Sequence, residues 1–266
     1  MQANHQEIKT KTMYTLSIII PTYNESDNIV KLIDRIKENL NPNVFTEIIV
    51  VDDNSPDGTG EIVKSYIKND SGYQEQKTSS EARNNYSLKV LIRKGKNGLI
   101  PAILEGVRFS KGDYVLIMDA DFSHPPEIIP NMVEEILADS NSIVIASRYI
   151  ETGAIIGWPF RRRIISKCAA IIAKIGLRVN NVTDPMSGFF IVPRTLLEHL
   201  QIDTKGYKLL LEILVKTKNL PIHEIPYTFT DRKSGKSKMG FNVMFDYIGS
   251  VWQLYNYGRG RKRQKK

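Results

Sequence analysis

The chain has 266 residues but only one cysteine, Cys168, so it cannot form an internal disulfide bond. A single thiol also excludes a zinc site built from several thiolates. A chain of this length can bury a complete hydrophobic core without either kind of cross-link. The scarcity of cysteine therefore excludes a disulfide-rich secreted scaffold and predicts a cytosolic protein.

Long apolar runs are also missing. No run in the sequence approaches the roughly 18–20 residues that a membrane-spanning helix requires. Residues 1–12 are polar, and they lack the apolar stretch of about 7–15 residues that marks a secretory signal peptide. We therefore expect neither a transmembrane span nor a signal peptide.

Two common phosphate-binding motifs do not occur. Neither G-x-x-x-x-G-K-S/T nor G-x-G-x-x-G is present, which disfavours a P-loop NTPase and a simple dinucleotide-dependent dehydrogenase. The 4 histidines of the chain show no pairing of a nucleophile with a base. His124 lies beside an acidic motif where it can contact substrate, but the Pro125 that follows favours a turn.

Basic residues exceed acidic ones, with 37 Lys and Arg against 29 Asp and Glu and a net charge of +8. Much of this excess lies in two clusters. One is Arg161-Arg162-Arg163 with the nearby Lys167, and the other is the C-terminal run 259–266, which holds six basic residues and no acidic one. Basic clusters favour anionic partners such as nucleic acid, phospholipid head groups or phosphorylated substrates. For the terminal run, a tail that only improves solubility is the alternative.

Short β-branched runs alternate with segments of helical spacing. The runs predict strands at residues 16–20, 48–51, 88–92, 114–118 and 142–146. Apolar residues at helical spacing predict helices at 29–40, with an N-cap at Ser26, and at 128–137 and 164–177. This alternation predicts an α/β fold whose mainly parallel sheet is flanked by helices on both faces.

The later part of the chain has a different pattern. Apolar side chains from Phe241 to Tyr255 recur on one helical face, which predicts an amphipathic helix before the basic tail. Residues 70–86 are rich in polar side chains and predict a solvated loop. We therefore expect a catalytic domain over residues 1–240, followed by the helix and tail over residues 241–266.

Polar motifs follow three of the predicted strands. They are Pro21-Thr22-Tyr23-Asn24-Glu25, Asp52-Asp53-Asn54-Ser55-Pro56-Asp57-Gly58-Thr59 and Asp119-Ala120-Asp121. Ligands of open parallel sheets bind beyond the carboxyl ends of the strands. Carboxylates that converge there repel one another unless a cation neutralises them. Asp119 and Asp121 can hold a hard divalent ion together with substrate phosphate oxygens. The motifs therefore predict Mg²⁺ or Mn²⁺ bridging a nucleotide diphosphate.

These motifs resemble those of the family-2 glycosyltransferases, which have the GT-A nucleotide-sugar fold. The resemblance covers residues 16–240, and its later motifs are typical of the polyprenyl-phosphate branch, the dolichyl-phosphate mannose synthases. Those later motifs are Ser147-Arg148-Tyr149, Gly157-Trp158 with Arg161-Arg162-Arg163, Ile164-Ile165-Ser166-Lys167, Asp184-Pro185-Met186-Ser187-Gly188-Phe189, Lys205-Gly206-Tyr207 and Asp231-Arg232-Lys233-Ser234-Gly235-Lys236-Ser237-Lys238.

The resemblance implies a role for each matching residue. Guanine and ribose would be held by Pro21, Tyr23, Glu25, Val51 and Asp53. Diphosphate, sugar and metal would be held by Asp119, Ala120 and Asp121, with Ser123 as a third group on the metal side. The nucleotide-sugar phosphates would contact Arg148, Arg232 and Lys238, and the acceptor phosphate would lie near Arg162 and Ser166. Asp121, Arg148 and Asp184 are the candidate catalytic residues, although Asp184 is equally typical of a cap or turn before Pro185.

The implied reaction is the inverting transfer of mannose from GDP-mannose to dolichyl or another polyprenyl phosphate, for protein glycosylation or glycolipid synthesis. A phosphate monoester has a second pKa of about 6, so it is already an anionic nucleophile and needs no strong general base. We expect a peripheral protein at the cytoplasmic face of a membrane, with a small membrane protein as a further partner.

Three alternatives remain open from the residues. The donor can be UDP-glucose instead of GDP-mannose, because sequence separates donors poorly. The basic clusters also fit a nucleic-acid-binding protein, although no nucleic-acid motif occurs. The third alternative is a catalytically silent partner subunit, and the presence of both Asp119 and Asp121 argues against it.

Overall fold

The computed structural model describes residues 14–70, 85–177, 179, 181–202, 208–217, 220–231 and 255. Up to residue 147, strands alternate with helices as the sequence predicts. The strands are β1 (Thr15–Thr22), β2 (Phe45–Asp52), β3 (Tyr86–Ile92), β4 (Tyr114–Ile117), β5 (Ile143–Ser147), β6 (Ala154–Ile156), β7 (Phe190–Pro193), β8 (Ile222–Pro226) and β9 (Thr228–Thr230). The helices are α1 (Ile29–Glu38), α2 (Thr59–Asn69), α3 (Leu99–Phe109), α4 (Ile129–Ala138), α5 (Phe160–Leu177), α6 (Arg194–His199) and α7 (Leu209–Lys216), and a short 3₁₀ turn (Pro126–Ile128) precedes α4.

The main sheet has seven strands in the order β3-β2-β1-β4-β7-β5-β8. Its strands are parallel except for β7, which pairs antiparallel with both β4 and β5. Strands β6 and β9 form a separate parallel ribbon. The predicted mainly parallel α/β sheet is confirmed. The antiparallel strand β7 is an addition that the apolar runs do not predict.

Alternate residues of each central strand point to opposite faces of the sheet, so the strands contribute to two cores. Ile18 and Ile20 of β1 pack in one core with the buried faces of α1 and α4. Ile19, between them, packs in the other core with residues of α3, α5 and α7. Because both faces are covered, the centres of β1 and β2 are apolar at residues 18–20 and 48–51, which is why simple runs reveal them.

A buried carboxylate ties the strands together at the edge opposite their carboxyl ends. Glu47 of β2 accepts hydrogen bonds from the Ser17 hydroxyl and the Lys111 amide, both at 2.7 Å. It also pairs with Lys89 of β3. Burial raises the pKa of the Glu47 carboxyl, but the hydrogen bonds from Lys89, Lys111 and Ser17 outweigh it, so the pKa lies below its usual range.

One predicted N-cap and one predicted helix start are wrong. Helix α1 begins at Ile29 with Asn28 as its N-cap, whereas Ser26 lies in the preceding turn, where its amide donates to Asp57. Helix α5 begins at Phe160, earlier than the predicted residue 164. The arginines of its first turn interrupt the apolar spacing on which that prediction depends, while the Pro159 carbonyl accepts the amides of Arg162 and Arg163.

The predicted C-terminal amphipathic helix cannot be compared with the fold, because residues 241–254 lie outside the described residues, as do residues 71–84 of the predicted loop. In the described part of the chain, no helix combines the length and the hydropathy needed to cross a membrane.

Candidate active site

The candidate site lies where the carboxyl ends of β2, β1 and β4 come together. These strands are neighbours in the sheet, and Pro21 and Thr22 of β1 pair with Val51 and Asp52 of β2. The three polar motifs therefore meet at one edge, as their positions in the sequence predict. Because β7 runs antiparallel beside β4, the residues that precede it reach the same edge.

Asp52 ends β2 and Asp53 follows it, and their carboxylates hold two different loops. Asp52 accepts a hydrogen bond from the Thr22 hydroxyl at 2.9 Å and others from the amide and hydroxyl of Ser55. Asp53 accepts from the Arg93 guanidinium at 2.6 Å and from the amides of Asn97 and Gly98. The buried Asp53 carboxylate thus fixes the loop after β3 against the end of β2.

The other candidate nucleoside-binding residues lie around this edge. Tyr23 is partly exposed, and the Lys96 ammonium lies 3.7 Å from its ring centroid. Glu25 accepts a hydrogen bond from the Asn28 amide side chain, and its own amide donates to Thr59. Val51 packs inside the second core, so any contact that it makes with a ligand would come from its backbone.

Strand β4 leads directly into the acidic motif Asp119-Ala120-Asp121. A turn with Phe122 at a positive φ of 60° follows, closed by a hydrogen bond from the Ser123 amide to Asp121 Oδ1. The Asp119 side chain is 45% exposed, whereas Ala120 and Ser123 are buried. The fold therefore presents two carboxylates at the edge of the sheet and places Ser123 inside the turn.

This donor set fits a hard divalent cation only in part. In the part of the chain that the structure describes, no three His, Cys, Asp or Glu side chains are grouped closely enough to hold a metal ion. Asp119 and Asp121 supply carboxylate oxygens, the ligands that Mg²⁺ and Mn²⁺ prefer. The residues therefore fit an ion whose remaining ligands come from substrate phosphate and water.

His124 lies beneath this motif and is fully buried. Its Nδ1 accepts a hydrogen bond from the Asp119 amide at 2.9 Å, and its Nε2 lies 3.8 Å from Asp119 Oδ2. Burial lowers the pKa of His124, although the charges of Asp119 and Asp121 oppose the change. The sequence leaves open whether His124 contacts substrate or lies in a turn; in the structure it is buried and supports the backbone of the acidic motif.

A buried ion pair lies beside the acidic motif. Arg148, which follows β5, donates from Nε and Nη2 to the two carboxylate oxygens of Asp184, at 2.7 and 2.9 Å. Its amide also donates to Asp184 at 3.2 Å, and the amide of Asp184 donates to Glu224. Burial opposes the Arg148 charge, but the Asp184 carboxylate raises the pKa of Arg148 above its usual range. Asp184 is 0% exposed, so the structure favours a positioning role over proton transfer.

Lys208 and Tyr227 are two residues of this region that the sequence analysis does not single out. Burial and the Arg148 charge lower the pKa of Lys208 to about 8, although Asp184 and Asp119 act in the opposite direction. For Tyr227 burial acts in the other direction and raises the pKa above its usual range, because it disfavours the charged phenolate. Lys208 follows the Lys205-Gly206-Tyr207 motif, and that proximity is the only signal in the sequence that points to it.

A cationic cavity of about 220 Å³ opens between the ion pair and helix α5. Its charged lining comes from Arg148, Arg163 and Lys167. Arg162 lies on the same helix, but its Nη1 bonds Asp231 Oδ2 at 2.8 Å and its guanidinium stacks on Trp158. The remaining lining residues are Tyr149, Gly153, Ala154 and Ile155.

The two predicted acceptor residues lie close to this cavity without lining it. The Ser166 hydroxyl accepts a hydrogen bond from the Tyr149 hydroxyl at 2.8 Å. Arg163 and Lys167, which do line the cavity, belong to the basic cluster noted in the sequence but carry no predicted role. Arg232 and Lys238 lie outside the described residues.

Sequence comparisons link the chain to known enzymes. The family described as "Glycosyl transferase family 2" matches residues 17–214. The "Dolichol-phosphate mannosyltransferase" of Pyrococcus furiosus is 37% identical over 243 residues, which are 91% of this chain and 64% of that protein. The protein of the same name from Saccharomyces cerevisiae is 33% identical over 255 residues, which are 92% of this chain and 88% of that protein. The chain thus spans less than two thirds of the Pyrococcus relative and most of the yeast one.

Solved structures show the same fold at lower identity. Glucosyl-3-phosphoglycerate synthase from Mycobacterium tuberculosis, in complex with Mn²⁺, UDP-glucose and phosphoglyceric acid, superposes with a TM-score of 0.66. The sequences are 19% identical, and the match covers 91% of this chain and 80% of that chain. At this identity the similarity establishes the architecture alone.

Proposed function

The chain belongs to glycosyltransferase family 2 and has its GT-A fold, and from this membership we propose that it transfers mannose from GDP-mannose to dolichyl or another polyprenyl phosphate. The names of the Pyrococcus and yeast relatives support mannose and dolichol phosphate. Family membership also disfavours the nucleic-acid-binding alternative.

One observation of the structure carries this proposal. The charges of Arg148, Asp119 and Asp121 all act on His124, so Arg148 lies near the acidic motif, and it also lines the cationic cavity. A donor diphosphate at Asp119 and Asp121 and an acceptor phosphate in the cavity would therefore both lie near one fixed guanidinium. Two phosphorylated substrates that must react with each other require such neighbouring anion sites.

On the donor side, we propose that Pro21, Tyr23 and Glu25 surround the nucleoside, with Val51 and Asp53 beneath it. Asp53 would act by holding the loop of Asn97 and Gly98 that closes this edge. Asp119, Ala120 and Asp121 would hold diphosphate, sugar and a divalent ion, with Ser123 supporting their turn. A bound Mg²⁺ or Mn²⁺ would supply Lewis-acid stabilisation to the departing diphosphate. Arg232 and Lys238 would contact the same phosphates.

On the acceptor side, a lipid phosphate in the cavity would meet Arg163 and Lys167. Within the described residues, neither Arg162 Nε nor Trp158 Nε1 has a hydrogen-bond partner, and both atoms are buried. Buried donors of this kind suit an anionic oxygen. This supports the place of Arg162, and of the adjacent Ser166, beside the acceptor phosphate.

The proposed chemistry is a displacement at the anomeric carbon. An oxygen of the acceptor phosphate forms the new bond to that carbon, and the bond to the donor diphosphate breaks as GDP leaves. Arg148 would stabilise charge while Asp184 keeps it in place, since positive groups preorganised around developing charge contribute most to such a step. No residue needs to remove a proton from an acceptor that is already ionised.

Helix α5 supports a peripheral contact with the membrane that holds the acceptor. Phe160, Ile164, Ile171 and Ile175 are exposed and fall on one stripe of the helix. Basic residues flank this stripe, and apolar stripes with basic flanks are typical of helices that lie in the membrane interface. The flanking residues are Arg161, Arg163, Lys167 and Lys174.

This membrane contact predicts binding to vesicles that contain anionic lipid. Replacing Ile171 and Ile175 with serine should reduce co-sedimentation with the vesicles, because the apolar stripe is interrupted. Phe109→Ser is the matched control, since Phe109 is exposed on α3. If the α5 variant and Phe109→Ser lose vesicle binding equally, helix α5 is not the part of the protein that contacts the membrane.

The reaction itself is tested with a panel of donors. Purified protein, Mn²⁺, a polyprenyl phosphate and either GDP-mannose or UDP-glucose are incubated, and the lipid products are weighed by mass spectrometry. We expect a mannosyl phosphate lipid from GDP-mannose only. A glucosyl product in its place would establish the UDP-glucose alternative, and no lipid product from any donor would overturn the proposal.

A further inference from the structure

The imidazole of His124 lies between the acidic motif and the core. Its Nδ1 accepts the Asp119 amide hydrogen at 2.9 Å. A backbone amide can only donate, so Nδ1 must carry a lone pair and the ring proton must be on Nε2. That nitrogen lies 3.8 Å from Asp119 Oδ2, too far for a hydrogen bond but close enough for an electrostatic attraction. One ring therefore contacts both the backbone and the carboxylate of Asp119.

Neighbouring side chains leave the ring little freedom to move. Phe189 stacks on it with ring centroids 5.0 Å apart and planes 22° apart, and Tyr227 meets it edge-on at 6.1 Å. Gly188 lies beside the Cε1 and Nε2 atoms of the ring. A Cβ added at Gly188 would lie 3.2 Å from His124 Cε1 and 3.6 Å from Asp119 Oδ2. Glycine at this position thus allows the ring and the carboxylate to lie side by side.

We propose that His124 is a positioning residue that orients Asp119 for the divalent ion, with Gly188 leaving the space that this orientation needs. The proposal rests on the proposed function, because it takes the ion and the nucleotide from there. Strand β4 ends before Asp119, so the backbone of Asp119 lies beyond the hydrogen bonds of the sheet. The lone pair on His124 Nδ1 fixes the backbone of Asp119, and the Nε2 side of the ring limits the rotation of the Asp119 side chain.

Binding of Mn²⁺ in the presence of GDP, measured by electron paramagnetic resonance without turnover, tests this inference. His124→Phe keeps the aromatic stack and removes the acceptor, and it should weaken Mn²⁺ binding about 10-fold or more, as is common when a supporting partner of a ligand is lost. His124→Asn keeps an acceptor where Nδ1 lies and should retain most of the affinity. Gly188→Ala keeps every polar group but displaces the ring, so it should weaken binding as well.

Each outcome has a definite meaning. Weak binding by His124→Phe, with recovery in His124→Asn, supports the positioning role. Wild-type affinity in a folded His124→Phe, or equal loss in the Phe and Asn variants, overturns it. If His124→Phe does not fold, then Gly188→Ala decides, and wild-type affinity in that variant overturns the proposal. Absence of Mn²⁺ binding by the wild-type protein would overturn the proposed metal site itself and so distinguishes the two failures.

Discussion

Replacing Asp184 with asparagine should destabilise the protein strongly. The Asp184 carboxylate is 0% exposed and receives both arms of the Arg148 guanidinium, at 2.7 and 2.9 Å. Arg148 is itself nearly buried, with 10% of its side chain exposed. Asparagine would leave the Arg148 guanidinium without a counter-charge. It would also replace one of the two carboxylate oxygens that accept from Arg148 with an NH₂ group, which can only donate. Breaking a buried pair in this way costs about 3–5 kcal/mol.

Thermal unfolding measures this loss. For a domain of this size, about 3–5 kcal/mol corresponds to a decrease in Tm of roughly 6–20 °C. The double variant Asp184→Asn/Arg148→Met removes both charges and should be less destabilised than the sum of the two single variants. Asp113→Asn is the matched control, because Asp113 is exposed and its carboxylate accepts hydrogen bonds from the amide and hydroxyl of Thr15, so its loss should cost about 1 kcal/mol or less.

Activity separates positioning from proton transfer at the same residue. If Asp184 only positions Arg148, Asp184→Asn lowers kcat/KM but leaves the pH profile unchanged. Disappearance of an acidic limb from the profile would instead identify Asp184 as a proton acceptor. A loss of stability below about 1 kcal/mol would refute the reasoning altogether, since it would mean that the buried guanidinium does not depend on this carboxylate.

The remaining predictions concern single side chains. Asp121→Asn, or removal of metal with a chelator, should nearly abolish transfer, because several kcal/mol of transition-state stabilisation depend on the ion. Circular dichroism should show that the fold is intact. Full activity in excess chelator would exclude the metal site. With a short soluble acceptor, Arg163→Ala should raise the KM for the acceptor and not the KM for the donor, since Arg163 lines the cavity. Under the same conditions Arg161→Ala should change neither KM. If Arg163→Ala changes the donor KM alone, the cavity belongs to the nucleotide side. The low pKa of Glu47 contributes stability that is present above about pH 4.5 and is lost as the pH falls through the pKa of the folded state. Glu47→Gln should therefore be less stable at neutral pH, and denaturant titrations should show that its stability falls less as the pH is lowered. The same loss of stability at acid pH in the variant and the wild-type protein would contradict this account. If the Lys208 charge attracts substrate phosphate, kcat/KM should fall above pH about 8, where Lys208 loses its proton. In Lys208→Arg, kcat/KM should stay constant to higher pH. The same decrease of kcat/KM at alkaline pH in that variant would show that another group titrates.

Local signals were sufficient to predict the parallel half of the fold. Strands β1 and β2 are buried on both faces, so every residue in their centres must be apolar, and such runs are visible without any tertiary information. The polar motifs that follow them interrupt those runs abruptly. Their convergence at one edge follows from parallel strands alone, which is why the positions of Asp53 and Asp119 could be predicted together.

The short strand β7 and the site residues around it could not be predicted in the same way. Phe190–Pro193 is only four residues long, and nothing local distinguishes a strand of that length from a loop. Its antiparallel insertion between β4 and β5 is what brings Asp184 to Arg148 and Gly188 to His124. These contacts join residues far apart in sequence.

The sequence by itself determined which side chains can do the chemistry, since carboxylates, guanidinium groups and their strand-end positions depend on residue type and local pattern. Only the tertiary structure decided how they are used. Asp53 holds a loop, Arg162 pairs with Asp231, and Arg163 faces the cavity. Neighbouring residues of one helix face different surroundings, and only the packing of that helix on the sheet selects among them.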